Sequence, residues 1–81
     1  MESSSQPDIK VRFGKAVRRR RRELDISQEE LAERSGLHRT YISSVERGER
    51  NPTLESIEQF AKALDIKVSE LFISYGIESG E

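Results

Sequence analysis

Two short helical segments separated by a glycine turn constrain this sequence more than anything else in it. Ser27-Gln28-Glu29-Glu30 is a capping box: the Ser27 hydroxyl can accept from the Glu30 amide, and the Glu30 carboxylate can reach back. The helix it opens turns Leu31 and Ala32 inward. It stops at Gly36, the residue type best suited to a left-handed cap. Leu37 leads into a second helix from about Arg39 to Arg47, with Ile42, Val45 and Glu46 on its inner face and Gly48 closing it. The chain turns in the short run Ser35-Gly36-Leu37-His38, so the second helix leaves the first at a steep angle.

The rest of the chain is helical as well. Between Val11 and Leu24, the residues Phe13, Val17, Arg21 and Leu24 recur at helical spacing and form one stripe, and Asp25 stops the run. Pro52 disfavours helix at Asn51, which makes Glu49-Arg50-Asn51-Pro52 a loop. Thr53 can cap a fourth helix whose apolar residues are Leu54, Ile57, Phe60, Ala61 and Leu64, and Asp65 ends it. Ser69 is the expected cap of a last short helix carrying Leu71 and Phe72. Neither strand alternation nor an internal repeat is visible. The expected architecture is all-α: five short helices over residues 9–74, after a disordered arm at 1–8 and before a tail at 75–81.

Composition narrows the function classes. A chain of 81 residues supports one domain with a small core. It has no cysteine and one histidine, His38, which leaves no disulfide framework and no thiolate or histidine-rich metal site, and neither a metal nor a cofactor is expected. No stretch approaches the ~20 apolar residues of a membrane helix, and Met-Glu-Ser-Ser-Ser-Gln-Pro-Asp is not a signal peptide. A soluble, cytoplasmic protein is expected. The net charge of −1 is divided unevenly: residues 1–50 carry 12 Lys and Arg against 9 Asp and Glu, and the remainder carry 2 against 6. A basic half beside an acidic half suits one face for a polyanion and another for a different partner.

In a helix-turn-helix of this geometry the second helix enters the major groove with its N-terminal residues at base edges. Those residues are His38, Arg39, Thr40, Ser43 and Ser44. Arg39 suits bidentate bonding to guanine, and Thr40 offers a methyl or a hydroxyl. Nothing supports an enzyme, since no catalytic constellation and no glycine-rich phosphate loop are present.

The run Ser27-Gln28-Glu29-Glu30-Leu31-Ala32, then Ser35-Gly36-Leu37, Arg39-Thr40-Tyr41-Ile42-Ser43, Glu46 to Leu54, and Ala61-Lys62-Ala63-Leu64 with Ser69-Glu70-Leu71-Phe72, resembles the Cro/phage-repressor-like (XRE) family. The match covers roughly residues 11–73 and is specific because five separated blocks agree in order and spacing. The resemblance implies a lambda-repressor-like helical fold and operator binding, usually as a symmetric dimer. It places Gln28, Arg47, Arg50 and Asn51 on the DNA backbone. The segment from Arg39 to Ser43, with Glu46-Arg47 and Arg50-Asn51, is also similar to the small controller proteins of restriction–modification systems. In three places the chain departs from the family: His38 stands at an N-cap usually held by Ser or Thr, and Asp25 and Asp65 stand where Gly is usual. Both aspartates therefore need a left-handed backbone, which Asp accepts better than most residues.

Several residues carry competing structural readings. The arginines Arg18, Arg19, Arg20 and Arg22 spread around a helix and are expected to be mostly solvated. Arg21 sits on the apolar stripe, where an unpaired charge is costly, and the resemblance supports pairing it with Glu46. Tyr41 suits either the core or a phosphate. A last helix with Leu71, Phe72 and Ile73 nearly in sequence leaves apolar surface that a second copy would cover. The expected dimer surface is Phe60, Leu71, Phe72, Ile73 and Tyr75. The expected partners are double-stranded operator DNA and a second copy of the chain, with no membrane and no small-molecule substrate. The competing reading is an antitoxin or adaptor whose main partner is another protein.

Overall fold

The computed structural model describes residues 7–78, and these form five helices with no strand among them. They are α1 (Ile9–Glu23), α2 (Gln28–Ser35), α3 (Arg39–Glu46), α4 (Leu54–Ala63) and α5 (Val68–Ser74). Residues 1–6 of the expected arm and 79–81 of the expected tail lie outside the described residues.

The stop and start signals act as their chemistry requires. Asp8 caps α1 by accepting from the Lys10 amide at 2.8 Å. Asp25 (φ 59°) and Asp65 (φ 56°) both take the left-handed conformation expected of them. Gly36 and Gly48, each at φ 77°, end the two helices of the central motif. Thr53 accepts from the Ser56 amide at 3.0 Å to cap α4. Ser27 accepts from the Glu30 amide at 3.0 Å, but the Glu30 carboxylate pairs with Arg34 one turn further on rather than reaching back. The last helix begins earlier than expected: its N-cap is Lys67, and Ser69 lies within the first turn. Here the Glu70 carboxylate reaches back to accept from the Lys67 backbone amide at 3.3 Å, while no N-cap side chain accepts from the first-turn amides.

The core lies where all five helices converge. Phe60, Leu31, Ile42, Leu64 and Leu71 are fully buried, each contributing roughly 1.5–3 kcal/mol of hydrophobic stabilisation. Phe13 meets Phe60 edge-on at 5.7 Å between ring centroids. Phe60 and Leu71, expected at a dimer surface, are thus part of the chain's own core. Helical periodicity could not separate an inward side chain from one awaiting a partner. Leu54, one of the apolar residues of the same helical period, is 85% exposed.

Residues 75–78, expected as part of a tail, fold back onto the domain. Ile77 is buried, and Arg12 Nε donates to its carbonyl at 3.1 Å. Arg20 is equally committed: Nε donates to the Leu64 carbonyl at 2.9 Å and Nη2 to the Asp65 carbonyl at 3.1 Å. Leu64 is the C-cap of α4 and Asp65 follows it, and a cation there also complements the helix dipole. The mostly solvated role expected of Arg20 is therefore corrected.

α1 and α3 approach closely at Gly14. A Cβ at Gly14 would collide with the backbone carbonyl oxygens of Val45 and Glu46, the latter at 2.8 Å. A glycine inside a helix costs about 1 kcal/mol relative to alanine. Here it lets α3 lie directly against α1.

Candidate nucleic-acid interface

α3 presents its N-terminal end to solvent. His38 forms no side-chain cap, and no acidic residue occupies the first turn, so the orphan amides and the positive end of the helix dipole face outward. His38, Arg39, Thr40 and Arg47 are exposed and Ser43 is half-buried. Together these form a continuous outer edge, while Ile42, Val45 and Glu46 face the core.

Ser44 does not belong to that edge. It is buried, its Oγ donates to the Tyr41 carbonyl at 2.8 Å, and it accepts from Arg50 Nε at 3.2 Å. The expected groove-facing role is corrected to one of support: Ser44 holds Arg50 in place. The Arg50 guanidinium also lies 5.8 Å over the Tyr41 ring, whose other neighbour is Phe60 at 6.4 Å, stacked. Of the two readings open for Tyr41, this arrangement supplies the packing one. Arg50 and Asn51 are exposed beyond the end of α3.

The inner face of α3 is fixed by charge. Arg21 Nε donates to Glu46 Oε2 at 2.7 Å and Nη2 donates to Oε1 at 3.0 Å, a bidentate pair. Arg21 Nη1 also donates to the Ile26 carbonyl at 3.0 Å. Burial pushes the Glu46 carboxyl up, but hydrogen bonds from Arg21 and Gln28, with the charges of Arg21 and Arg18, outweigh burial and hold it below the ordinary carboxylate range. The bond to Glu46 likewise raises Arg21, against the opposing effect of desolvation.

Gln28 connects this buried pair to the outer edge. Its Nε2 donates to Glu46 Oε1 at 3.0 Å, and its Oε1 accepts from Arg39 Nη1 at 3.3 Å. The phosphate contact expected of Gln28 has only the second N–H of its amide to work with. Arg47 donates to Ser43 Oγ at 2.5 Å and pairs with Glu49 at 3.1 Å, which lowers the Glu49 carboxyl.

A family profile described as helix-turn-helix matches residues 17–71. The chain belongs to this helix-turn-helix family. Control protein C.SmaI of Serratia marcescens is 50% identical over 72 residues, covering 89% of this chain and 86% of the relative. Control protein C.BamHI of Bacillus amyloliquefaciens is 46% identical, covering 79% and 80%. The restriction–modification controller protein C.AhdI of Aeromonas hydrophila has the same fold, with a TM-score of 0.76 and 49% identity over 78% of this chain and 96% of that one. The controller protein C.Esp1396I, solved as a tetramer on its natural 35 base-pair operator, superposes with a TM-score of 0.80 at 33% identity, covering 86% and 92%. Within the helix-turn-helix family, the chain thus stands among the restriction–modification controller proteins.

Sequence reasoning missed two supports of this interface. Gly14 was readable as an unexplained glycine inside an otherwise sound helix. The use of Ser44 was not, because a serine next to Ser43 on a short helix carries no mark of which way it faces.

Proposed function

We propose that this chain is a sequence-specific transcriptional regulator that binds a pseudo-palindromic operator as a homodimer, serving as the controller protein of a restriction–modification system. One observation carries the reading. The exposed edge of α3 bears Arg39 at its N-terminal end, and Gln28 ties Arg39 to the buried Arg21–Glu46 pair. A recognition helix must hold its side chains in place to discriminate bases, and a buried ion pair fixes α3 in a way packing alone does not. The similarity to C.Esp1396I, solved in complex with its operator, supports operator binding here.

Arg39 takes guanine bidentately, with Thr40, Ser43 and His38 at neighbouring base edges. Arg47, Arg50 and Asn51 flank them on phosphates, and Gln28 adds one N–H. A single α3 reads only a few base pairs, which two-fold symmetry doubles, with half-sites about 34 Å apart. The second copy covers the apolar surface this fold leaves open: a groove lined by Ile9, Phe13, Pro52, Leu54, Ile57 and Phe72 together with Lys10 and Asn51, and the exposed Ile73, which follows Phe72 in α5. That seam keeps Phe72 and Ile73 of the expected surface, replaces Phe60 and Leu71 with Ile9, Leu54 and Ile57, and leaves out Tyr75, whose ring and hydroxyl are engaged by Arg19, Arg20 and Glu23 of its own chain. Among the described residues no helix is long and apolar enough to cross a membrane, which suits work in the cytoplasm on DNA. The family's regulatory character suits a protein without catalysis.

Selection from random duplexes tests the reading. The expected result is enrichment of a pseudo-palindrome, with Arg39→Ala costing ~1–3 kcal/mol and relaxing preference at one position per half-site. Absence of any enriched sequence would sink the reading. Even loss across all single-base variants on Arg39→Ala would remove Arg39 as a base reader.

A further inference from the structure

The arginine run of α1 resolves into a cationic stripe. Lys15, Arg18, Arg19 and Arg22 fall at i, i+3, i+4 and i+7, and with Glu23 they line one shallow concavity on the outer face of the helix. Lys15, Arg19 and Arg22 are exposed, and the Arg18 side chain is 39% exposed. At 1.5 Å per residue the stripe spans about 10 Å, a length over which duplex DNA carries roughly six phosphate charges.

The stripe joins the end of α3. Arg18 Nη2 donates to the Glu46 carbonyl at 3.3 Å, and Glu46 is the last residue of α3. Gly48 packs so tightly on Val11 of α1 that a Cβ there would lie 3.0 Å from Val11 Cα. α1 therefore lies alongside the same end of α3 from which Arg47, Arg50 and Asn51 project. That end carries the negative pole of the helix dipole, unfavourable toward phosphate unless cations surround it.

Two of the four cations have structural duties. Arg19 pairs with Glu23 at 3.5 Å and lies 4.9 Å over the Tyr75 ring. Arg18 is divided between the carbonyl and carboxylate of Glu46, the latter at 3.6 Å. Lys15 and Arg22 flank Arg18 on the solvent side and are exposed; Arg22 lies in the last turn of α1, where its charge also complements the helix dipole.

We infer that Lys15 and Arg22, on either side of Arg18, form a second backbone-binding site that takes operator phosphates flanking the bases read by α3. The inference rests on the DNA-binding reading and extends its footprint from α3 and its following loop to the outer face of α1. The occupant is the sugar–phosphate backbone, because four cations within two helical turns, on a chain with an overall charge of −1, are placed for a linear polyanion. Neither side chain has a base edge to read, so the site adds affinity without adding sequence preference.

The test measures affinity against salt for the full chain, for Lys15→Gln with Arg22→Gln, and for Arg39→Ala. Each phosphate contact contributes about 0.9 to the slope of log K against log salt. The double variant should lower that slope by about 2 and weaken operator and unrelated duplex by the same factor, on the order of tenfold near 0.15 M salt. Circular dichroism should match the parent, since both side chains face solvent. An unchanged slope overturns the site, and so does an unchanged slope accompanied by altered sedimentation, which would give the stripe to an acidic face of another copy. Failure of the parent chain to bind any duplex is a different result and overturns the functional reading itself. Arg39→Ala should lose base preference with its slope almost intact, which separates the two kinds of contact.

Discussion

Arg21 grips Glu46 with two guanidinium nitrogens, at 2.7 and 3.0 Å, across the seam between the first helix and the recognition helix. The Glu46 side chain is 1% exposed and that of Arg21 12%. The pair is worth less than its Coulomb energy, because both charges left water to form it. Breaking it is another matter. Arg21→Ala or Glu46→Ala alone should destabilise the fold by ~3–5 kcal/mol by leaving the other charge buried without its partner. Urea denaturation of both single variants and the double variant checks this, and additive losses would remove the coupling from the account.

Acid should act on the same pair. The folded-state pKa of Glu46 lies below that of an unfolded glutamate, so in acid the unfolded chain binds more protons. The contribution of Glu46 is complete above about pH 4.5 and is lost as pH falls through its folded value. Glu23 and Glu49 are also lowered, by hydrogen bonds to Tyr75 and Arg47 respectively, but both face solvent. Glu46→Gln should therefore start less stable at pH 7 and decline less steeply below pH 4.5 than the parent. Parallel declines in denaturation series across pH would assign the acid sensitivity elsewhere.

Gly14→Ala should be far more damaging than its chemistry suggests. An added methyl meets backbone oxygens of Val45 and Glu46, which cannot rotate away as a side chain would. The expected cost is ~1–3 kcal/mol from overpacking. Operator affinity should fall as well, since α3 must shift away from α1. Thermal unfolding together with a binding titration checks both, and a variant more stable than the parent would show that the contact is loose.

The proposed dimer seam gives a prediction that separates surface from core. Leu54→Glu and Ile73→Glu place charges on side chains 85% and 68% exposed, so folding should be unaffected. Analytical ultracentrifugation should find a dimer for the parent and a monomer for Leu54→Glu, with cooperative operator binding lost. A parent chain that stays monomeric at high micromolar concentration would falsify the homodimer. Phe60→Glu, by contrast, should unfold the chain.

Asp65 offers a local check on the turn after α4. At φ 56° it occupies a conformation in which glycine is unstrained and a β-branched residue clashes. Asp65→Gly should stay within about 1 kcal/mol of the parent, and Asp65→Val should lose roughly 1–2 kcal/mol or more. Equal stabilities in a denaturant series would mean the backbone is free to relax there.

The sequence by itself determined the helices, their order and the recognition motif. Those features rest on local rules: Ser27 and Thr53 offer cap acceptors, Gly36 and Gly48 tolerate positive φ, and Pro52 excludes helix before it. The Arg21–Glu46 pair was legible too: a charge on an apolar stripe demands a partner, and the family resemblance pointed to Glu46 on the inner face of α3. Tertiary structure decided what periodicity cannot express, which is the identity of the neighbour on each helix face. Phe60 and Leu54 share the apolar period of α4, yet one is sealed beneath Phe13 and Tyr41 and the other stands in solvent. Ser43 and Ser44 adjoin in sequence, but about 100° of helical rotation puts one beside Arg47 and the other beneath Arg50. Arg20 became the cap of α4 only because that helix ends 44 residues away beside α1. Each of these outcomes depends on contacts between segments distant in sequence, and such contacts exist only once the chain has folded.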